Sequence, residues 1–203
     1  MDTDRGTRRT GWHALRTRFR EVLAPQGYAT APDYGPSAPP TDRERWFRQF
    51  DRVRDLLEQT RQVVAAGGWS GSGSWFLLRQ PDGTARPATL AESLTLRLPG
   101  APVAGACLVG IMVRLAEDPD RVPQVHDVWL ATDELHEAMR ERLGHDAAAP
   151  GRAYPVHHRR EHLRSLTAWN DAPGRTQDDV LDLVDRAIAR TIVGAVAVPR
   201  ESE

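Results

Sequence analysis

Four groupings of residues carry side chains whose type and spacing can do chemistry. The first runs from Trp169 through Asn170, Asp171, Pro173, Gly174 and Arg175 to Thr176. In one reading Trp169 plugs the core, Asn170 and Asp171 brace a turn through their own backbone, and Thr176 caps the next helix. In the other, Trp169 stacks a planar ligand while Arg175, near a helix N-terminus, binds an anion. Trp69, Asn170 and Asp171 complete that ligand-binding set.

The second is the lone cysteine, Cys107. It is a nucleophile if His126, His136 or His162 comes within hydrogen-bond reach, because the thiolate is the reactive species. Its neighbours Ala104, Ala106, Leu108 and Val109 point instead to burial, which raises a thiol pKa. Asp171, Cys107 and His162 are the candidates for acid, base or nucleophile. The third is His158, Glu161 and His162, which match the His-x-x-Glu-His form in which two His bind zinc and the Glu is a base. That chemistry needs a distant carboxylate ligand, yet only about forty residues follow, Pro155 precedes the string and Arg159 and Arg160 add positive charge. The sequence reading therefore favours a solvated basic helix face, with no metal and no cofactor. The fourth, Trp69 to Trp75, is a Ser/Gly string without the glycine spacing or lysine of a nucleotide cradle. It reads as a flexible connection anchored by its two tryptophans, and as a lid over the Trp169 turn if it moves.

The elements that must position these groups follow from periodicity. Trp12, Leu15, Phe19, Val22 and Leu23 recur at helical spacing, with Arg16, Arg18 and Arg20 on the other face. Residues 24–40 hold five prolines and read as an extended arm carrying Tyr28 and Tyr34. Thr41 and Glu44 have capping-box form. Trp46, Phe47, Phe50, Val53, Leu57 and Val64 then predict a helix of about six turns, stopped at Gly67 and Gly68. Pro81, Asp82 and Gly83 predict a turn between two extended segments. Leu94, Leu96 and Leu98 suit a strand or the end of a short helix starting near Thr89. Residues 103–116 lack polar positions and predict a buried central helix, 127–143 a surface helix, and 144–155 a loop. Thr176 to Asp179 predicts the start of a C-terminal helix whose Asp178, Asp179 and Asp182 suit the positive end of the macrodipole.

The bulk properties set limits. A chain of 203 residues is expected to form an N-terminal helix and Pro-rich arm (1–40), one globular domain (41–196) and a tail (197–203). All 27 basic residues are Arg, which removes lysine Schiff-base and P-loop chemistry and reads as the codon bias of a GC-rich genome. A net charge of −1 argues against a dedicated nucleic-acid partner. One cysteine, no signal-peptide core and no run of about 20 apolar residues predict a soluble, cytoplasmic protein with no membrane partner. The fold class expected is α+β, mostly α, with a small β-hairpin or short sheet.

Gly67, Gly68 and Trp69, then Cys107, Leu108, Val109 and Gly110, then Trp169, Asn170, Asp171, Arg175, Thr176, Val180 and Leu181 occur in an order that resembles a family of uncharacterised actinobacterial and phage proteins. The resemblance spans roughly Val53 to Ile192 and departs at Ile111, where a small Ala is expected. It implies domain limits and residues to watch, but no reaction. The expectation is a non-catalytic accessory protein of an actinobacterium that binds a small molecule or a protein partner. One alternative is an enzyme of actinobacterial specialised metabolism using Asp, His or Cys chemistry. Another is a phage-related or regulatory protein touching nucleic acid through Arg16, Arg18, Arg20 and Arg159.

Overall fold

The computed structural model describes residues 42–98, 100–118 and 125–196. The expected first helix, the Pro-rich arm, Thr41 of the capping box and the tail lie outside these residues. Among them are six α-helices and a three-stranded antiparallel sheet, which makes the fold α+β and mostly α. The long periodic run is α1 (Asp42–Val63). It widens into a π-type turn, Val64–Gly68, and ends as Gly67 takes φ +80°, a conformation that a side chain disfavours.

β1 (Phe76–Arg79) and β2 (Ala85–Pro87) form the expected hairpin, with Leu77 opposite Pro87 and Arg79 opposite Ala85. Asp82 secures its turn by accepting from the backbone N–H and hydroxyl of Thr84. The next segment resolves to the helical alternative: α2 (Leu90–Leu96) starts at a complete capping box between Thr89 and Glu92.

The buried run is not one helix. Its first four residues are β3 (Val103–Ala106), paired to β1 with Phe76 opposite Ala106, and only Leu108–Ala116 is helical, as α3. An apolar run without polar positions carries no period to separate strand from helix, and the free edge of β1 decides it. The close join depends on Gly110, where a Cβ would collide with the Trp75 carbonyl.

Three further helices complete the bundle: α4 (Val125–Arg142), α5 (Val156–Asn170) and α6 (Gln177–Val196). α1 packs along α6, α4 and α3, and α4 also packs against α5 and α6. Leu56 and Leu57 of α1, Met112 of α3, Leu135 of α4, Leu166 of α5 and Leu183 of α6 are buried together with Phe76 of β1. The expected surface helix is thus a correction: α4 lies inside the bundle, with Asp127, Asp133, Glu134 and Glu137 at most 2% exposed. It can do so because each buried carboxylate meets a partner from another element: Asp127 pairs with Arg52 of α1, and the other three meet the groups described next. No helix among the described residues is long and apolar enough to cross a membrane.

Candidate functional site

The Trp169 turn is built around Asn170, the last residue of α5. Its Oδ1 accepts from Trp69 Nε1 at 2.8 Å and from the Leu108 backbone N–H at 3.2 Å. Its Nδ2 donates to the Ser70 carbonyl at 3.2 Å and to Asp171 Oδ1 at 2.8 Å. One buried amide thereby joins the Ser/Gly string, the start of α3 and the end of α5. Asp171 also accepts from the Gly73 N–H at 3.2 Å, and Ser70 N–H bonds the Ala106 carbonyl on the outer edge of β3. The Trp69–Trp75 string is therefore tied to the turn it overlies.

Trp169 is 9% exposed and belongs to the core cluster. The Arg175 guanidinium lies 3.8 Å from the centre of a Trp169 ring, while its Nε donates to the Trp169 carbonyl at 3.1 Å. Arg175 thus covers the indole and terminates α5. The structure brings Trp69, Asn170 and Asp171 into one hydrogen-bonded unit, with Trp169 and Arg175 stacked beside it.

Cys107 caps α3: its Sγ accepts from the Gly110 N–H at 3.3 Å. Burial pushes the thiol up to about 11, against the pull of the Gly110 N–H. Among the described residues, its thiol has no histidine partner. His162 lies instead on α5 in a second polar centre, between α5, α4 and the loop that joins them.

In that centre, α4 contributes Asp133, Glu134, His136 and Glu137, α5 contributes Arg159 and His162, the loop contributes Tyr154, and α6 contributes Arg190. Asp133 accepts from His162 Nδ1 at 2.8 Å and from Arg159 Nε at 3.0 Å. Glu137 accepts from the Tyr154 hydroxyl at 2.8 Å and the Ala148 N–H at 2.7 Å. Glu134 accepts from the Gly151 N–H at 2.6 Å and from Arg190 Nε at 2.9 Å, and Arg190 also reaches Glu141. The His136 and His162 rings stack, centres 3.9 Å apart and planes 11° from parallel, with Tyr154 edge-on to His162.

The electrostatics follow from this enclosure. Burial, then the neighbouring His162, lowers the His136 pKa. Burial alone would raise Glu137, but the Ala148 N–H, the Tyr154 hydroxyl and His136 outweigh it and hold it below its ordinary value. Burial pushes the Tyr154 phenol up, and its bond to Glu137 adds to this. Glu134 is raised by burial against the pull of Gly151 and Arg190. His136, Glu137 and His162 are metal-ligating types, and their ligand atoms lie within 4.8 Å of one another. Of the two histidines expected from the His-x-x-Glu-His string, only His162 is here; His158 and Glu161 are exposed.

A third feature lies beside the Trp69 string. A cleft of about 400 Å³ opens between the Val64–Gly68 turn, β3 and α3, lined by Val63, Gly68, Ala104, Gly105, Ile111 and Arg114 among others. Arg114 donates to the Leu96 and Ala101 carbonyls, and burial lowers its pKa. Sequence reasoning passed over Arg114, and it also missed Asp133, Glu134, Glu137, Tyr154 and Arg190. The one available signal for the second centre was the density of acids on α4 at spacings of three and four, which also suits a solvated face. Of the nucleic-acid candidates, Arg159 is bound to Asp133, and Arg16, Arg18 and Arg20 lie outside the described residues.

Comparison with curated proteins and with solved structures finds no match. A family model does match, over residues 49–190, and its limits enclose the Asn170 junction, the cleft and the α4–α5 centre. The chain belongs to the family of unknown function DUF6197.

Proposed function

We propose that this protein is a non-catalytic binding protein, whose ligand is a small molecule with an apolar body and one carboxylate, held in the cleft between β3 and α3. The cleft carries the reading. About 400 Å³ suits a small organic ligand, and the walls of Val63, Gly105, Ala106 and Ile111 offer apolar surface and backbone rather than reactive groups. Arg114 and Asp118 are the polar exceptions, and Arg114 is a guanidinium at the wall held by two carbonyls and in no ion pair with a carboxylate among the described residues. A ligand carboxylate would supply that missing partner. Trp69 and Asn170 serve the site indirectly, by fixing the string that adjoins Gly68. Cys107, buried and capping a helix, and Asp171, bonded to Gly73 and Asn170, support a binding role over nucleophilic chemistry.

The test is a titration of the isotopically labelled full chain with hexanoate and benzoate, followed by amide shifts. Shifts concentrated at Gly68, Ala104 and Gly105, weakened by Arg114→Met and abolished by Ala104→Trp, are expected. Unmoved cleft amides with both probes, or shifts indifferent to the two substitutions, would sink the reading.

A further inference from the structure

The α4–α5 centre differs from a set of ion pairs in one respect, which is where the histidine nitrogens point their bonding. His162 uses Nδ1 to meet Asp133 at 2.8 Å, and among the described residues the only polar contact of His136 is also through Nδ1, a long 3.4 Å approach to Glu137. Neither Nε2 takes a hydrogen bond among the described residues. In the neutral ring, an Nδ1 proton held by Asp133 leaves the lone pair on Nε2 of His162, the arrangement in which a carboxylate orients a metal-binding imidazole. Glu137 adds an anion beside the two rings. Its Oε1 takes the Tyr154 hydroxyl and the long His136 approach, while Oε2 accepts one protein hydrogen bond, from the Ala148 N–H, and keeps a lone pair to spare.

We propose that His136, Glu137 and His162 bind a divalent ion of the zinc type, with Asp133 as the residue that positions His162. Two imidazoles and one carboxylate suit Zn²⁺ in donor type, and three protein ligands leave a fourth position for water or a ligand atom. The cations around the centre are Arg159, whose Nε is bound to Asp133, Arg140, whose charge acts on His136, and Arg152, which lies over the Tyr154 ring. The centre is nearly closed: the side chains of His136, Glu137 and His162 are 12%, 3% and 8% exposed. His136 is the most accessible of the three.

The geometry also says what must move. Ligand atoms around a tetrahedral zinc lie about 3.3 Å apart, given metal–nitrogen bonds of about 2.0 Å, whereas these are spread over as much as 4.8 Å. Imidazole lone pairs lie in the ring plane, and two rings stacked 3.9 Å apart with near-parallel planes hold theirs in separate layers, so one ring must turn to converge on a shared ion. His162 is clamped by Asp133 and by the edge of Tyr154. His136, held by the stack and by one long polar contact, is the ring that turns. This site is separate from the β3 cleft, and neither reading depends on the other.

The experiment uses the full chain, stripped with a chelator and titrated with Zn²⁺ and with Co²⁺ as a spectroscopic stand-in. Expected are one ion per chain, a tetrahedral Co²⁺ absorption band without a thiolate charge-transfer band, and loss of the His136–His162 ring contact in histidine-detected NMR. His136→Gln should weaken binding at least 10-fold, and Asp133→Asn by about 10- to 100-fold through the outer-shell effect. His157 and His158 are exposed, adjacent rings and the obvious adventitious site, so the double variant His157→Ala/His158→Ala should leave affinity unchanged. If His136→Gln does not fold, the NMR readout on the wild-type chain and the double variant decide the matter. Absence of binding, binding abolished in the double variant, or a bound ion that leaves the His136 and His162 resonances unmoved would each overturn the proposal.

Discussion

Asn170 and His162 lie on one helix, about 12 Å apart along its axis, and they use their hydrogen-bonding groups in opposite ways. Asn170 is saturated within the chain: two donors reach its oxygen and its nitrogen donates twice, three of the four bonds being with other elements and one with Asp171 beside it. Among the described residues, His162 and its stacked neighbour His136 take hydrogen bonds only through Nδ1. A saturated buried group has nothing left to offer a ligand, so its contribution is to hold elements together. A buried group held in one orientation with a lone pair to spare has both the rigidity and the capacity that binding requires. Composition alone does not make this distinction, since an indole, an amide and a guanidinium are as suggestive as two histidines and a glutamate.

The sharpest way to break the comparison is to remove a charge from the α4 centre. Arg190 holds the buried Glu134 and reaches Glu141 from α6. Arg190→Met strands a carboxylate in the interior, and such a loss costs about 3–5 kcal/mol. The expected result in urea unfolding is a midpoint far below wild type, largely recovered when Glu134→Leu is added. A loss under about 1 kcal/mol would mean that water reaches this centre, removing the contrast with Asn170. Next in size is Asn170→Ala, which leaves the Trp69 indole N–H and the Leu108 N–H without acceptors. At about 1–3 kcal/mol for the buried Leu108 donor and about 1 kcal/mol for the part-buried Trp69 indole, roughly 2–4 kcal/mol should be lost, with a shift in Trp69 fluorescence. Stability unchanged in this variant would show that Asn170 does not hold the junction.

The parts of this fold that were legible in the sequence are those set by local chemistry. Trp46 to Val64 has helical period and a glycine stop, Asp82 and Gly83 make a turn, and Thr176 with Asp179 makes a reciprocal cap. Periodicity could not divide Val103–Ala106 from Leu108–Ala116, because pairing with β1 and the space left by Gly110 are tertiary facts. Nor could it bury α4. Asp127, Asp133 and Glu134 read as solvated because their partners Arg52, His162 and Arg190 lie 75, 29 and 56 positions away. The Trp169 turn was found because its residues are turn-formers, and for the same reason its role is explained first by structure. The His136, Glu137 and His162 group was missed as a set because its two helices meet only in the fold.

A smaller effect tests the electrostatics of the α6 cap beside Trp169. Asp179 is held down to about 2, first by its bond to Arg142 and then by the Thr176 N–H and hydroxyl. A carboxylate whose folded pKa is depressed stabilises the protein above its unfolded value and loses that contribution as pH falls through the folded one. The window is therefore about pH 4 down to about pH 2. Unfolding free energies measured across it should slope less steeply for Asp179→Asn than for wild type. Identical slopes would remove Asp179 from the acid sensitivity of this fold.

The smallest effect is expected at Cys107. A thiol pushed up to about 11 is almost wholly protonated at pH 8, so iodoacetamide should leave the folded protein unmodified and label it once urea unfolds it. The sulfur has one structural task, accepting the Gly110 N–H at the start of α3. A serine hydroxyl performs that task better but is costlier to bury, so Cys107→Ser should change stability by less than about 1 kcal/mol. Cys107→Ala deletes the acceptor and should cost about 0.5–2 kcal/mol. Rapid alkylation of the folded chain, or an alanine variant more stable than the serine one, would show that Cys107 is something other than a buried cap. It would then join the His136 and His162 centre as a group with capacity to spare, rather than Asn170 as a group fully engaged.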